Sequence, residues 1–132
     1  MPLVTFNVPA ELRDDRVAGL CDAVHDALVE TASVPADDRF HVIHRHDPVN
    51  LRIDPAYLGI GRGPEAVIVE ITFRMGRTEH QKRALFASIA RLAKARAGLS
   101  AADVMVVLTE NTSLDWSFGG GLAQYAPAPD AV

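Results

Sequence analysis

The strongest constraint on this chain is that its two halves read alike. Leu3 to Val8 are apolar and β-branched enough for a strand that Pro9 ends. From Leu12 onward, Val17, Leu20, Cys21, Val24, Ala27, Leu28 and Thr31 return at three- and four-residue steps. That is one apolar helix face, and it predicts a helix to about Ala32, stopped by Val34-Pro35. Arg39 to His46 then reads as extended, with Phe40, Val42 and His44 on one face and His41, Ile43 and Arg45 on the other. The second half repeats the order: a strand over Ala66 to Arg74, a turn at Gly76, a helix from Thr78, and a strand over Val104 to Leu108. Thr78 followed by Gln81 forms a capping box. Leu85, Phe86, Ile89, Leu92 and Ala93 make the expected buried stripe, and Gly98 closes the helix.

Sliding the first half onto the second sets Leu20 on Leu85, Asp38 on Asp103 and Val42 on Val107 at one common offset. Matched order and register imply two βαβ units, about 2–60 and 66–125, each with parallel strands because a crossover helix joins them. The predicted fold is α/β (α+β): a tandem βαβ pseudo-repeat forming a four-stranded mixed sheet with two helices on one face, in a single domain over 1–132. Whichever side the helices cover, either Ile68, Met105 and Val107 or their neighbours Val67, Val69 and Val106 are left on the other face. With no third layer in the sequence, a second subunit is the economical cover.

A net charge of −4, with arginines interspersed among acids, lacks the basic face that nucleic acid requires. The expected partner is a small molecule or another protein. Cys21, the one cysteine, lies on the apolar stripe and reads as a buried thiol in a reducing compartment, hence a cytoplasmic protein. The N-terminus has neither a basic segment nor a long apolar one, and no later apolar run reaches membrane-spanning length. Pro2 follows the initiator methionine directly, and methionine is usually trimmed before so small a residue. His44 and His46 share a strand face, but no carboxylate or further histidine is placed to complete a metal site with them. The run Gly59-Ile60-Gly61-Arg62-Gly63 lacks the strand-to-helix setting of a dinucleotide loop and reads as a turn between the halves. No cofactor is expected.

Five segments together carry a family likeness: Met1-Pro2-Leu3, Val34-Pro35-Ala36-Asp37-Asp38-Arg39-Phe40, Leu58-Gly59-Ile60-Gly61-Arg62, Gly76-Arg77-Thr78-Glu79-His80-Gln81-Lys82 and Asp115-Trp116-Ser117-Phe118-Gly119. With the two βαβ units, they make the chain resemble the tautomerase superfamily over nearly its whole length, most of all its malonate semialdehyde decarboxylase branch. The resemblance implies a homotrimer with its active site at the N-terminal proline, between the βαβ units and near a subunit contact. It also implies that Pro2, Asp38 and Arg77 are functional. One arginine of that branch falls on Met75 here, with Arg74 one residue away on the opposite strand face; a bulge at Met75-Gly76 could swing Arg74 into the site.

Those residues suit a defined chemistry. The secondary amine of an unblocked Pro2, ordinarily titrating near 8, is general base when neutral, general acid when protonated, or an iminium former with an aldehyde or ketone. Arg74 and Arg77 would hold a substrate carboxylate bidentately, Asp38 would accept a hydrogen bond from the amine or activate water, and Trp116 and Phe118 would form an apolar wall. The expectation is a tautomerase or decarboxylase of small carbonyl acids, such as 2-oxo acids, their enols or malonate semialdehyde. Each residue also has a plainer reading: a processing signal at Pro2, solvated arginines, a turn aspartate at Asp38, and tail packing at Trp116 and Phe118. The alternative is therefore a non-catalytic ligand-binding or signalling oligomer of the same fold.

Overall fold

The computed structural model of the chain describes residues 1–127; positions 128–132, the end of the span expected to form the domain, lie outside the described residues. Four strands and two long helices follow in the anticipated order: β1 (Leu3–Pro9), α1 (Asp14–Thr31), β2 (His41–His46), β3 (Val67–Arg74), α2 (Glu79–Ala97) and β4 (Val104–Asn111). The sheet order is β2-β1-β3-β4. β1 runs parallel to β2 and β3 parallel to β4, while β1 and β3 are antiparallel. The mixed sheet therefore consists of two parallel βαβ units joined back to back, as the repeat required.

Strand register sorts every side chain. Val4, Phe6 and Val8 of β1 and Val67, Val69, Ile71 and Phe73 of β3 are buried under the helices. α1 adds Val17, Leu20, Cys21, Val24, Ala27 and Leu28 to this core, and α2 adds Leu85, Ile89, Leu92 and Ala93. Among the described residues the opposite sheet face has no covering layer, and there Leu3, Val42, Met105 and Val107 are each at least 40% exposed. The expectation of an uncovered apolar face is met, and the helix side is now fixed.

Local chemistry explains the helix ends. α2 starts at Thr78, whose hydroxyl accepts from the Gln81 amide at 3.1 Å while the Gln81 side chain accepts from the Thr78 amide at 2.9 Å. α1 has no such cap and starts at Asp14 instead of Leu12. The Leu12 amide turns back to the Pro9 carbonyl, Arg13 is extended, and Asp14 and Asp15 complement the positive end of the helix. Both helices close on a left-handed residue at the same repeat position, Gly98 (φ 65) and Ser33 (φ 59). Glycine adopts that conformation without cost, whereas serine holds it under strain.

Two sequence expectations are corrected. Phe86 is not part of the buried stripe: it is 41% exposed, beside Ile89, Ala90, Val104 and Val106 at the edge where α2 meets β4. Its place in the inner face goes to Ser88, whose hydroxyl donates to Glu30 across the helix pair. β4 also runs beyond Leu108 to Asn111, which matters because its far end lies beside Arg74.

α1 passes close against the α2 backbone at Gly19. A Cβ placed there would meet the Arg96 carbonyl carbon at 2.9 Å and its oxygen closer still. Gly19→Ala should therefore destabilise the protein by about 1–3 kcal/mol through overpacking, although alanine is the better helix former by about 1 kcal/mol. Urea denaturation measures the sign, and a stabilised Gly19→Ala protein would contradict the close helix crossing.

Candidate active site

Topology gathers one end of each element around the start of β1. The β1–β3 ladder pairs Leu3 with Thr72, so continuing it sets Met1 alongside Arg74, the last residue of β3. The end of α1, the turn leading to β2 and the N-terminus of α2 meet at the same place. A chain terminus ordinarily lies in water, yet here Met1 is 5% exposed and Pro2 is buried.

The Met1 amine makes an ion pair with Asp38 Oδ2, both side chains being almost wholly enclosed. Neither Asp38 carboxylate oxygen has a hydrogen-bond donor of its own among the described residues, so the terminal nitrogen is the one group facing that charge. Asp38 is placed by a turn in which its amide donates to the Pro35 carbonyl at 3.1 Å. Beyond the turn, the Val4 amide donates to Phe40 at 3.0 Å and Arg39 pairs with Asp22 at 2.7 Å.

On the other side stands Arg77. Its Nε donates to the Ala32 carbonyl at the end of α1 (3.2 Å), Nη1 donates to the Arg74 carbonyl (3.1 Å), and the guanidinium lies 4.8 Å above the Phe73 ring. Three attachments hold the charge beside the amine. Arg74 is exposed, with its guanidinium 5.6 Å from the Tyr125 ring. No inserted residue is needed to bring it there: β3 stays in register with β4 to the Arg74–Asn111 pair, and that last position already stands beside Met1. Met75, on which the alignment set that arginine, points outward at 61% exposure.

These surroundings act on the terminal nitrogen in a definite direction. Burial first, then Arg77 and Arg74, lowers its pKa from an ordinary 8.0 to about 6. Asp38 opposes them, since a carboxylate favours the ammonium form. Burial and the Arg74 charge likewise push Arg77 down from its usual value, though a guanidinium stays charged near neutrality. The shift favours the neutral amine, which accepts a proton, while the two cations beside it attract an anion.

Trp116 and Phe118 stack at 5.6 Å with planes 9° apart, and Trp116 Nε1 donates to Asn111, the β4 partner of Arg74. Phe118 also meets Phe40 (5.5 Å) and Tyr125 (5.3 Å). The rings bridge the Asp38-Arg39-Phe40 segment to Arg74. Sequence reasoning missed Tyr125. It returns to the site because Gly119, Gly120 and Gly121 all have positive φ and because Gln124 clasps Phe118 and Gly119; the glycine run was the available signal.

Other groups lie elsewhere. His46 is engaged with Asn7 at 2.9 Å, and among the described residues no group of three or more His, Cys, Asp or Glu is placed to hold a metal. Cys21 is buried, and burial raises its thiol pKa to about 11, which makes it a poor nucleophile. A groove of about 1060 Å3 opens at the opposite end of the sheet, between Pro9 to Arg16, Leu51, Ile53 and Glu65, and includes none of the candidate residues. Among the described residues, no helix is long and apolar enough to cross a membrane.

Comparison with known proteins gives the family and the fold. Two family profiles described as tautomerase enzymes match residues 38–119 and 2–59. The probable tautomerase YusQ of Bacillus subtilis (strain 168) is 34% identical over 94% of this chain and 98% of its own length. A crystal structure of the FG41 malonate semialdehyde decarboxylase inhibited by 3-bromopropiolate is 39% identical, covers 93% of each chain and superposes with a TM-score of 0.87. A symmetric trimer of wild-type fused 4-OT, 20% identical with a TM-score of 0.74 over 91% of this chain and 94% of that one, shares the fold.

The terminal amine of a chain that keeps Met1 should titrate near pH 6. Arg77→Gln should raise that value and Arg74→Gln should raise it less, because each removes a cation that repels the protonated form. The unfolded chain binds this proton at 8.0 and the folded one only near 6, so stability from this group is complete above 8 and is lost as pH falls through 6. Isotope-edited NMR titration and urea melts at pH 6 and 8 read both effects; an amine titrating at its ordinary value would contradict the buried placement.

Proposed function

The chain belongs to the tautomerase family, and from that premise we propose that it is a proline-dependent tautomerase or decarboxylase of small carbonyl acids. The observation that carries the reading is the amino terminus itself, enclosed against Asp38 and flanked by Arg77 and Arg74. Met1 fills a closed niche among those groups. Trimming it would vacate that niche and leave the Pro2 nitrogen as a free secondary amine one residue further in, with room for a small molecule between it and the charged side chains.

Each group then has a task. Arg77, fixed by Ala32 and Arg74, takes the substrate carboxylate with Arg74 beside it, as guanidinium forks do. That pose brings the carbon next to the carbonyl to the Pro2 nitrogen. A neutral amine removes a proton from that carbon, and the resulting ammonium returns it to oxygen or to a second carbon, which is tautomerisation. Asp38 stabilises the ammonium while it carries the proton. Trp116, Phe118 and Tyr125 exclude water from the enolate.

Decarboxylation is the second reading, favoured by the 39% likeness to a malonate semialdehyde decarboxylase. There the Pro2 amine condenses with the aldehyde, releasing water, and the iminium nitrogen takes up the electron pair as the carbon–carboxylate bond breaks to give carbon dioxide. An apolar wall around the carboxylate assists that loss of charge.

We also assign the open sheet face to a homotrimer. Leu3, Val42, Met105 and Val107 present apolar area there, and the 47–66 connection projects Val49, Tyr57 and Leu58 into solvent. Light scattering should give three times 14.2 kDa, and Val107→Asp should shift the population to smaller species. A monomeric wild-type protein would overturn this assignment.

The catalytic test uses protein whose loss of Met1 is verified by mass. Pro2→Ala should lower kcat/KM for a 2-oxo acid enol or for malonate semialdehyde by about 10²–10⁴. Wild-type kcat/KM for the enol should rise with pH through the titration of the amine. 3-Bromopropiolate should attach to Pro2 and nowhere else. Unchanged turnover in Pro2→Ala would reject the proline mechanism, and absence of turnover with Met1 retained in the native protein would favour a non-catalytic binding oligomer.

A further inference from the structure

One buried titratable side chain has no part in the chemistry above. His25 is 6% exposed on the inner stripe of α1. Its Nε2 lies 2.9 Å from the Ala36 carbonyl oxygen. A carbonyl only accepts, so Nε2 carries the proton and donates. Nδ1 is sealed from water and has no hydrogen-bond partner among the described residues. An apolar residue of similar size would spare the helix that unpaired atom, so packing alone does not explain a histidine here.

What Nε2 holds is informative. The Asp38 amide donates to Pro35, which makes Pro35 to Asp38 a turn with Ala36 and Asp37 at its centre. The central peptide of a turn, here Ala36–Asp37, is the one whose rotation interconverts type I and type II turns, and that rotation resets ψ of Ala36 and φ of Asp37, the torsions through which Asp38 is carried. The carbonyl of that peptide is the group His25 grips. Both flanks are already fixed, by the strained Ser33 and the Val34 amide on Leu28 on one side, and by Arg39 on Asp22 and Val4 on Phe40 on the other. Between those anchors, that peptide is held by His25. The group facing His25 from the sheet is His41, whose ring lies 6.3 Å away; burial first, then Arg39 and His25, holds it down to about 4, so it stands neutral.

We propose that His25 is a positioning residue, whose Nε2–H fixes the Ala36–Asp37 peptide and thereby aims the Asp38 carboxylate at the terminal nitrogen. This rests on the reading of Pro2 and Asp38 as an acting pair. It does not require the substrate to be known.

The test is an NMR titration of the Pro2 nitrogen in mature protein labelled with 15N-proline. Asp38→Asn, which removes the facing charge, should lower the Pro2 pKa by on the order of one unit. His25→Leu should lower it in the same direction, while His25→Gln, whose side-chain amide donates to the same carbonyl, should stay within a few tenths of wild type. If His25→Leu titrates with wild type while Asp38→Asn is displaced, His25 is structural only and the proposal is wrong. If Asp38→Asn itself does not move, the Asp38–Pro2 pairing fails and this proposal fails with it. Should His25→Leu not fold, the ring nitrogens of wild-type His25 decide: the Nε2–H tautomer is required, and an Nδ1–H ring overturns the assignment.

Discussion

Burying a chain terminus is costly, because an ammonium withdrawn from water loses several kcal/mol of hydration unless a counterion or deprotonation replaces it. This fold uses both remedies at Met1. Asp38 supplies the opposite charge, and burial with Arg77 and Arg74 lowers the pKa to about 6, toward the neutral form. The consequences reach well beyond the nitrogen. Asp38 has to be delivered by a rigid turn, and Arg77 has to be tied to the end of α1 through Ala32, so the loops at this end of the sheet have little freedom left.

The internal repeat sharpens that point, because it builds the same scaffold twice and lets the two ends be compared. Ala32 and Ala97 are equivalent residues at the ends of α1 and α2, and each gives its carbonyl to an arginine from the other half: Ala32 to Arg77, and Ala97 to Arg16 at 2.8 Å. At the far end Arg16 is already satisfied by the Glu65 carboxylate, held by both oxygens at 2.5 and 2.7 Å. Position 67, equivalent to Pro2, is an ordinary peptide nitrogen inside a continuous chain, and Asp103, equivalent to Asp38, accepts from the Gly63 amide at 2.8 Å. Two similar ends thus differ in the one property that chemistry needs. Among the described residues, only the first has a titratable nitrogen and an arginine without a carboxylate paired to it.

How much of this was legible in the sequence follows from the range of the interactions concerned. Helices, caps and strands rest on contacts within a few residues, so Thr78, Gln81 and Gly98 marked α2 correctly, and the common offset gave the βαβ order. Phe86 was misassigned because the width of a helix's buried face depends on how it sits against β4, which its own spacing does not encode. Arg74 was thought one residue out of place because the alignment compared sequence positions, whereas its approach to Met1 comes from antiparallel pairing with β1, a partner more than sixty positions away. Tyr125 and His25 were overlooked for the same reason. Tyr125 arrives through three glycine conformations, and the role of His25 depends on a carbonyl in a different loop. Pro2 and Asp38 were found through family likeness, and only the folded chain brings that end of β1 and that turn together.

The open sheet face and the candidate site are also not independent. Arg74 lies on that face by register with Thr72 and Ile68, and the tail rings that border it, Tyr125 and Phe118, lie on the same side with Phe40. In bulk water a guanidinium and a carboxylate 4 Å apart attract by only about 1 kcal/mol, against about 4 kcal/mol in the lower effective dielectric near a protein surface. Arg77, half-buried over Phe73, already enjoys the second condition. Arg74 does not, because it is exposed in the single chain. Covering the apolar face with another copy would therefore do two things at once: it would remove Leu3, Met105 and Val107 from water, and it would dry the surroundings of the second arginine. Assembly and substrate binding would then be coupled through one residue, Arg74, which belongs to the edge of both surfaces.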